Sequence, residues 1–243
     1  MAQNLERRAL AALDTLTVVP GAVGAWRRSA LVDCGGFPTD TLAEDQDLTI
    51  GIQVKGYQVR FDSSAIAWTE APSSFAGLAK QRFRWAFGTL QCLWKHRSAL
   101  GRYGWFGRVA LPSMWLFQIA FQVVSPLIDL QVAWTLFRVA EAYITRGFLT
   151  RDWQPLPQAI NSLWDVAALY TFFVVLELVA AIVAFRLERE KPRMLVWVFW
   201  QRFVYRQLMY AVVLRSLRQA IEGAATGWGK LERKNTATVQ PAA

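Results

Sequence analysis

The pentapeptide Gln81-Arg82-Phe83-Arg84-Trp85 sets an amide, two guanidiniums and an indole side by side. Arginine forks match the oxygens of a diphosphate, and an indole face stacks on the apolar face of a pyranose. Upstream lies an acidic turn, Ala43-Glu44-Asp45-Gln46-Asp47. A carboxylate there can act as a general base if it reaches the hydroxyl it deprotonates and no cation neutralises it. Each feature also has a plainer explanation. Acids are common in the first turn of a helix, where the macrodipole favours them. Basic amphipathic helices are common beside membranes, with a polar side that is merely solvated.

These residues need elements to position them. Residues 3–13 read as a short helix. Thr15–Val19 is β-branched and reads as a strand ended by Pro20-Gly21. Thr41 is placed to cap a helix running from about Glu44 to Lys55, which Gly56 would stop. Tyr57–Phe61 and Ala65–Trp68 read as further short strands. Ser73 or Ser74 starts a helix that runs to about Arg97. At about 100° per residue, Gln81, Arg84, Trp85 and Gly88 share one face of it, while Phe83, Phe87, Leu90 and Trp94 share the opposite face. That opposite face is apolar enough to lie in a membrane interface.

From Val109 the chain turns into apolar runs separated by charged stretches: 109–140, 163–185 and 194–214. One crossing takes about 20 residues. Pro126 and Asp129 sit mid-way in the first run, suiting a kinked or broken helix, and Arg202 and Arg206 share a face of the third. Trp115, Trp134 and Trp164 suit interface belts or sugar stacking. The chain has 27 Lys+Arg against 18 Asp+Glu, and these cations cluster at the ends of apolar runs. That pattern suits lipid headgroups better than nucleic acid. Two cysteines and a single histidine, His96, exclude a disulfide framework and argue against a zinc site or a histidine-based triad.

Several stretches together resemble the processive family 2 glycosyltransferases, the synthases of cellulose, chitin oligosaccharide, hyaluronan and poly-N-acetylglucosamine. They are Pro20-Gly21-Ala22, Trp26-Arg27-Arg28, Gly35-Gly36-Phe37, Ala43-Glu44-Asp45, the pentapeptide and the apolar runs. The resemblance covers most of the chain. No aspartate pair precedes Leu16, where Asp14 stands alone, so the resemblance is to the C-terminal half of such enzymes only. It implies an α/β fold with membrane α-helices. Residues 1–73 would be the acceptor side of a GT-A-like domain, 74–108 an amphipathic interfacial helix, 109–222 a region of about three transmembrane helices, and 223–243 a polar tail.

The resemblance also implies a function. Asp45 would be the base, oriented by Glu44. Gln81 and Arg84, supported by Arg82, would hold the leaving diphosphate, and Trp85 would form the floor under the acceptor sugar. Trp228 would fold back toward the acceptor. The reaction would be inverting transfer from a UDP-sugar or similar donor to a growing β-linked polysaccharide, which the membrane helices help to export. A Mg or Mn ion would accompany the donor, held by aspartates in the other half, and this chain alone would be inactive. The implied partners are the donor, a glycan or lipid-linked acceptor, membrane lipids and the missing half or a partner subunit, with no nucleic acid. The implied location is the bacterial inner (plasma) membrane, multi-pass, with residues 1–108 cytoplasmic. Two alternatives stay open: a non-catalytic membrane subunit that binds or conducts a glycan, and a non-processive transferase that adds one sugar to a lipid carrier.

Overall fold

The structure, a computed structural model, describes residues 2–151, 157–188, 191–201 and 204–223. The described residues are mostly helical: α1 (Ala2–Ala12), α2 (Arg28–Asp33), α3 (Glu44–Val54), α4 (Phe75–Lys95), α5 (Phe106–Thr150), α6 (Pro157–Leu187), α7 (Val196–Gln201) and α8 (Tyr205–Ile221). They fall into two compact units. One holds Glu6–Gln122 with Tyr205–Ala243, and the other holds Met1–Leu5 with Val123–Val204.

The first unit carries every described candidate site residue. Ser74 caps α4, its Oγ accepting a hydrogen bond from the Gly77 N–H at 3.1 Å. Gly56 ends α3 with φ of +88°, a left-handed turn that suits glycine. Ala43, not Thr41, precedes the first turn of α3, and no side chain caps it. Thr41 instead donates from Oγ1 to Asp47 Oδ2 at 3.0 Å.

The expected strands do not form among the described residues, which contain no paired strand. Thr15–Val19 carries no regular secondary structure and is buried over Thr15–Thr17, and α3 occupies some of its polar groups. The Thr49 hydroxyl accepts from the Val19 N–H at 3.0 Å, and the Gln53 amide donates to the Leu16 carbonyl. Leu16 then joins Leu48, Ile52 and Val59 in a small core. Side chains of a helix thus satisfy the backbone that a neighbouring strand would otherwise bond.

Most of the apolar face of α4 packs against the protein itself. Phe83 and Phe87 stack at 5.7 Å and pack with Leu42, Leu208 and Val212, the last two from α8. The guanidinium of Arg215 on α8 lies over the Phe83 ring at 4.9 Å. Leu90 is buried in the main core, while Trp94 is exposed. Of the apolar face, then, Trp94 is the part that the protein leaves uncovered.

The expected spans shift as well. Among the described residues, two helices are long and apolar enough to cross a membrane: the 45-residue Phe106–Thr150 and the segment Leu163–Leu187 within α6. The first third of α5 belongs to the core of its unit. Phe106, Ala110, Leu111, Met114 and Ile119 are buried with Ile50, Cys92 and Leu93, and Trp115 packs against them. The helix opens with wider π-type turns over Phe106–Ala110 and Met114–Ala120, then continues through Pro126 without a break. The 194–214 run is divided: a 3₁₀ turn at Pro192–Leu195, the short α7, then α8 from Tyr205. Its second half packs on α4 because Leu208, Val212 and Ser216 repeat at helical spacing and are buried. Arg206 sits beside Tyr210 on α8, and Arg202 lies outside the described residues.

In the second unit, Trp134 and Phe137 of α5 stack at 5.7 Å, and Arg138 pairs with Glu141 at 3.1 Å. Trp134 and Trp164 are exposed.

Candidate active site

The site is assembled by a single stripe of α4. Gln81, Arg84, Trp85 and Gly88 lie one turn apart, and Gln91, Cys92 and Lys95 continue the same line. The second half of this stripe docks on the acidic turn. Gly88 lets the two backbones meet: a Cβ there would lie 2.7 Å from Ala43 Cβ and 2.9 Å from Ala43 N. Gln91 Oε1 accepts from the Leu42 N–H at 2.9 Å, the Cys92 thiol donates to the Ala43 carbonyl at 3.6 Å, and the Thr89 hydroxyl donates to Gln46 Oε1 at 2.9 Å. The first half of the stripe carries Gln81, Arg84 and Trp85 past this joint.

This docking brings the two sequence motifs together. Burial raises the Glu44 carboxyl above its usual range. Its own backbone N–H and the Arg84 charge work against that rise, and the Asp45 charge adds to it. Arg84 is therefore near enough to act on Glu44 through space. Asp45 is held by backbone donors: the Gly21 N–H reaches Oδ2 at 3.1 Å and the Gln46 N–H reaches Oδ1 at 2.8 Å. The Pro20-Gly21 turn thus serves the acidic turn directly. Two backbone N–H donors stabilise a carboxylate yet leave lone pairs for a further hydroxyl.

The other motif residues divide by role. The Arg82 guanidinium lies over the Trp85 ring at 4.3 Å and over Tyr205 of α8 at 5.5 Å. Its Nε is buried and makes no hydrogen bond among the described residues. Arg82 therefore stacks between the tryptophan and α8. Trp85 is 43% exposed, so part of its ring remains accessible. Gln81 is half-buried, one turn before Trp85. Trp228 lies outside the described residues.

Sequence reasoning missed two features. Asp47 is only 2% exposed and sits in a polar cage: Lys95 Nζ donates to Oδ2 at 2.9 Å, His96 Nε2 donates to Oδ1 at 2.6 Å, and Thr41 completes it. Burial pushes the Asp47 carboxyl up, but the hydrogen bonds from His96 and Lys95 outweigh it, and the carboxyl ends below its usual range. The signal was a lone histidine after a lysine at the end of a long helix. The second feature is Arg7 on α1. Burial lowers its pKa, while the charges of Glu6 and Asp45 act to raise it, so Asp45 feels a cation from a helix the motifs did not implicate.

Among the described residues, no three His, Cys, Asp or Glu side chains converge on a point that could hold a metal ion. A divalent cation at the described residues would therefore draw further ligands from the donor's phosphates.

A partly exposed indole stacked with Arg82, and an acidic turn whose Glu44 feels Arg84, suit transfer of a sugar from a charged leaving group to a hydroxyl. The class this defines is that of glycosyl-transferring enzymes. The chain belongs to glycosyl transferase family group 2, whose family model matches residues 7–214. That match runs from α1 into α8 and does not single out a C-terminal half.

Known proteins support the same class. The chain is 21% identical over 235 residues to a poly-beta-1,6-N-acetyl-D-glucosamine synthase of Staphylococcus epidermidis, covering 94% of this chain and 54% of that protein. A shorter stretch of 82 residues is 30% identical to the synthase of the same name from Staphylococcus aureus (strain COL), covering 34% of this chain and 20% of that one. Another, of 73 residues, is 40% identical to the protein named "Probable glycosyltransferase YdaM" of Bacillus subtilis (strain 168), covering 30% and 17%. The chain thus spans about half the length of the synthase it matches along most of its own length. No solved structure matches it.

Proposed function

We propose that this chain is the acceptor-side part of a membrane enzyme that transfers a sugar, with inversion, from a nucleotide-sugar donor to a growing β-linked polysaccharide. The observation that carries this reading is the joint at Gly88. It sets the acidic turn against α4 so that Glu44 feels Arg84 while Trp85 stays accessible.

In this reading Asp45 takes the proton from the acceptor hydroxyl. Its two backbone hydrogen bonds fix the carboxylate in place, and Arg7 is a cation close enough to act on it. Arg84, with Gln81, stabilises the charge that develops on the leaving diphosphate, a term that is usually large in such transfers. Trp85 supports the terminal sugar of the acceptor, and Arg82 braces Trp85 from behind. The donor nucleotide and its Mg or Mn ion are held outside the described residues, by the remainder of the enzyme, so the chain by itself transfers no sugar. The apolar helices within Phe106–Thr150, beyond its buried first turns, and Leu163–Leu187 anchor the enzyme in the membrane and help to export the product, with residues 1–108 cytoplasmic. The names of the relatives make β-1,6-linked N-acetylglucosamine the first polymer to assay.

The test is Asp45→Asn in the complete enzyme. Transfer is expected to fall by at least about 100-fold, in line with loss of a general base, while nucleotide-sugar binding persists. Turnover near that of the parent would remove Asp45 from this role.

A further inference from the structure

We infer that Asp47 is a positioning residue for transfer, a latch that holds the acidic turn at a fixed height along α4 by binding His96 and Lys95. The inference rests on the transferase reading above. It extends that reading to a buried group that does not face the reaction.

The argument starts from the stripe on α4. The recognition residues 81–85 occupy its beginning, Gly88 meets Ala43 in its middle, and Lys95 and His96 stand at its end. The contact at Gly88 is a close approach of small groups, which by itself lets α3 slide or rock. Gln91 and Cys92 hold the loop Leu42–Ala43 with neutral hydrogen bonds. Asp47 lies one turn into α3 and reaches the far end of the stripe with both oxygens. Its two charge-assisted bonds and the Thr41 bond therefore fix the rotation of α3 about that contact. That rotation decides where Glu44 and Asp45 stand relative to Arg84 and Trp85.

Charge and burial support a built device. Asp47 is faced by Lys95 and Cys92 of α4, by His96 just beyond it and by Thr41 from the preceding loop. Lys95 is shared with Asp40 at 2.8 Å. At 2% exposure, Asp47 needs partners for both oxygens, since an unpaired buried carboxylate is costly. An apolar residue at position 47 would fill the space more simply. A buried ionic cage at a seam between two site-bearing elements is instead a device for register.

The test uses Asp47→Asn and the milder His96→Gln in the complete enzyme, with two readouts. The first is the distance distribution between spin labels at Lys55→Cys on the end of α3 and Lys80→Cys on α4, in a Cys34→Ser background. Cys92 is fully buried and its thiol is pushed up by burial, so it should not label. The second is transfer kinetics. The latch predicts that both variants broaden the distribution and that kcat falls at least tenfold while KM for the donor changes less than threefold. It also predicts that the double variant is no worse than Asp47→Asn alone, because the two residues act as one unit. An unchanged distance distribution overturns the latch. Broadening with parental kcat, or losses that multiply in the double variant, overturns the positioning role. If the parent transfers no sugar at all, the transferase reading fails, and the distance distribution alone decides the latch.

Discussion

Gly88→Ala and Gly51→Ala make a paired experiment on how the site is built. Both glycines lie inside helices, where alanine is favoured by about 1 kcal/mol. At Gly51 a Cβ meets nothing within 4 Å, so that gain should appear in full. At Gly88 the new Cβ would lie 2.7 Å from Ala43 Cβ, 2.9 Å from Ala43 N and 3.1 Å from Leu42 C. Carbon atoms settle at about 3.5–4.0 Å, so the loop must retreat by about 1 Å. The obstacle is backbone and a Cβ, neither of which can rotate away. Overpacking of this kind costs about 1–3 kcal/mol. The retreat also stretches the Gln91–Leu42 bond from 2.9 Å and the Cys92–Ala43 bond from 3.6 Å, beyond useful range. Losing one such bond costs about 1 kcal/mol. With both bonds lost, the net change at Gly88 is a loss of about 2–4 kcal/mol, against a gain of about 1 kcal/mol at Gly51. For a chain of this size, thermal unfolding should shift by about 2–4 °C per kcal/mol, downward for Gly88→Ala and upward for Gly51→Ala. Transfer by the complete enzyme should fall only in the Gly88 variant, because only there does Glu44-Asp45 move away from Arg84. If Gly88→Ala is as stable and active as Gly51→Ala, the joint is not what assembles the site.

Two further outcomes follow from the same geometry. The Asp47 carboxyl protonates at lower pH folded than unfolded, so the unfolded chain binds the extra proton first. Its stabilisation is complete above the ordinary carboxylate range near 4 and is lost as pH falls through the lower folded value. Lys95 gives the mirror image. Burial lowers its pKa, but the bonds to Asp40 and Asp47 raise it further, so its stabilisation is lost as pH climbs past about 10.4. A stability profile by thermal unfolding should fall at both extremes, and Asp47→Asn should remove much of the acid limb; an unchanged acid limb would refute the Asp47 assignment. Trp85→Ala should weaken binding of an oligosaccharide acceptor at least tenfold, measured by calorimetry, while thermal stability barely moves. The ring is partly exposed, and its stack with Arg82 contributes only about 0.5–1 kcal/mol.

Local signals were legible in the sequence where the cause is local. Ser74 caps its helix because a short hydroxyl before an apolar run satisfies a free N–H, and that logic needs no tertiary knowledge. The same holds for Gly56 and for the helical stripe that groups Gln81, Arg84 and Trp85. Thr15–Val19 was misread because β-branching reports an extended backbone, not the partner that satisfies it. Here the partner is a helix, through Thr49 and Gln53. The face of Phe83 and Phe87 looked lipid-facing because apolar periodicity reports burial without saying against what. The answer, α8, lies about 120 residues further on.

The same limit explains why Asp47 stayed hidden while Asp45 did not. As a run of letters, Glu44-Asp45-Gln46-Asp47 offers three acids in a helical first turn, and the macrodipole accounts for all of them equally. What separates them is the element each one faces. Asp45 points to the Gly21 turn and Asp47 to the end of α4, and those directions are set by a 3.6-residue repeat acting on neighbours far apart in sequence. A single histidine is a poor catalyst candidate on its own, yet it sits one residue beyond a lysine at the end of the helix that carries the recognition motif. The lysine and the histidine are the hydrogen-bonding complement of one buried acid. Searching for acids that need cations, rather than for histidines that need triads, would have found the pair.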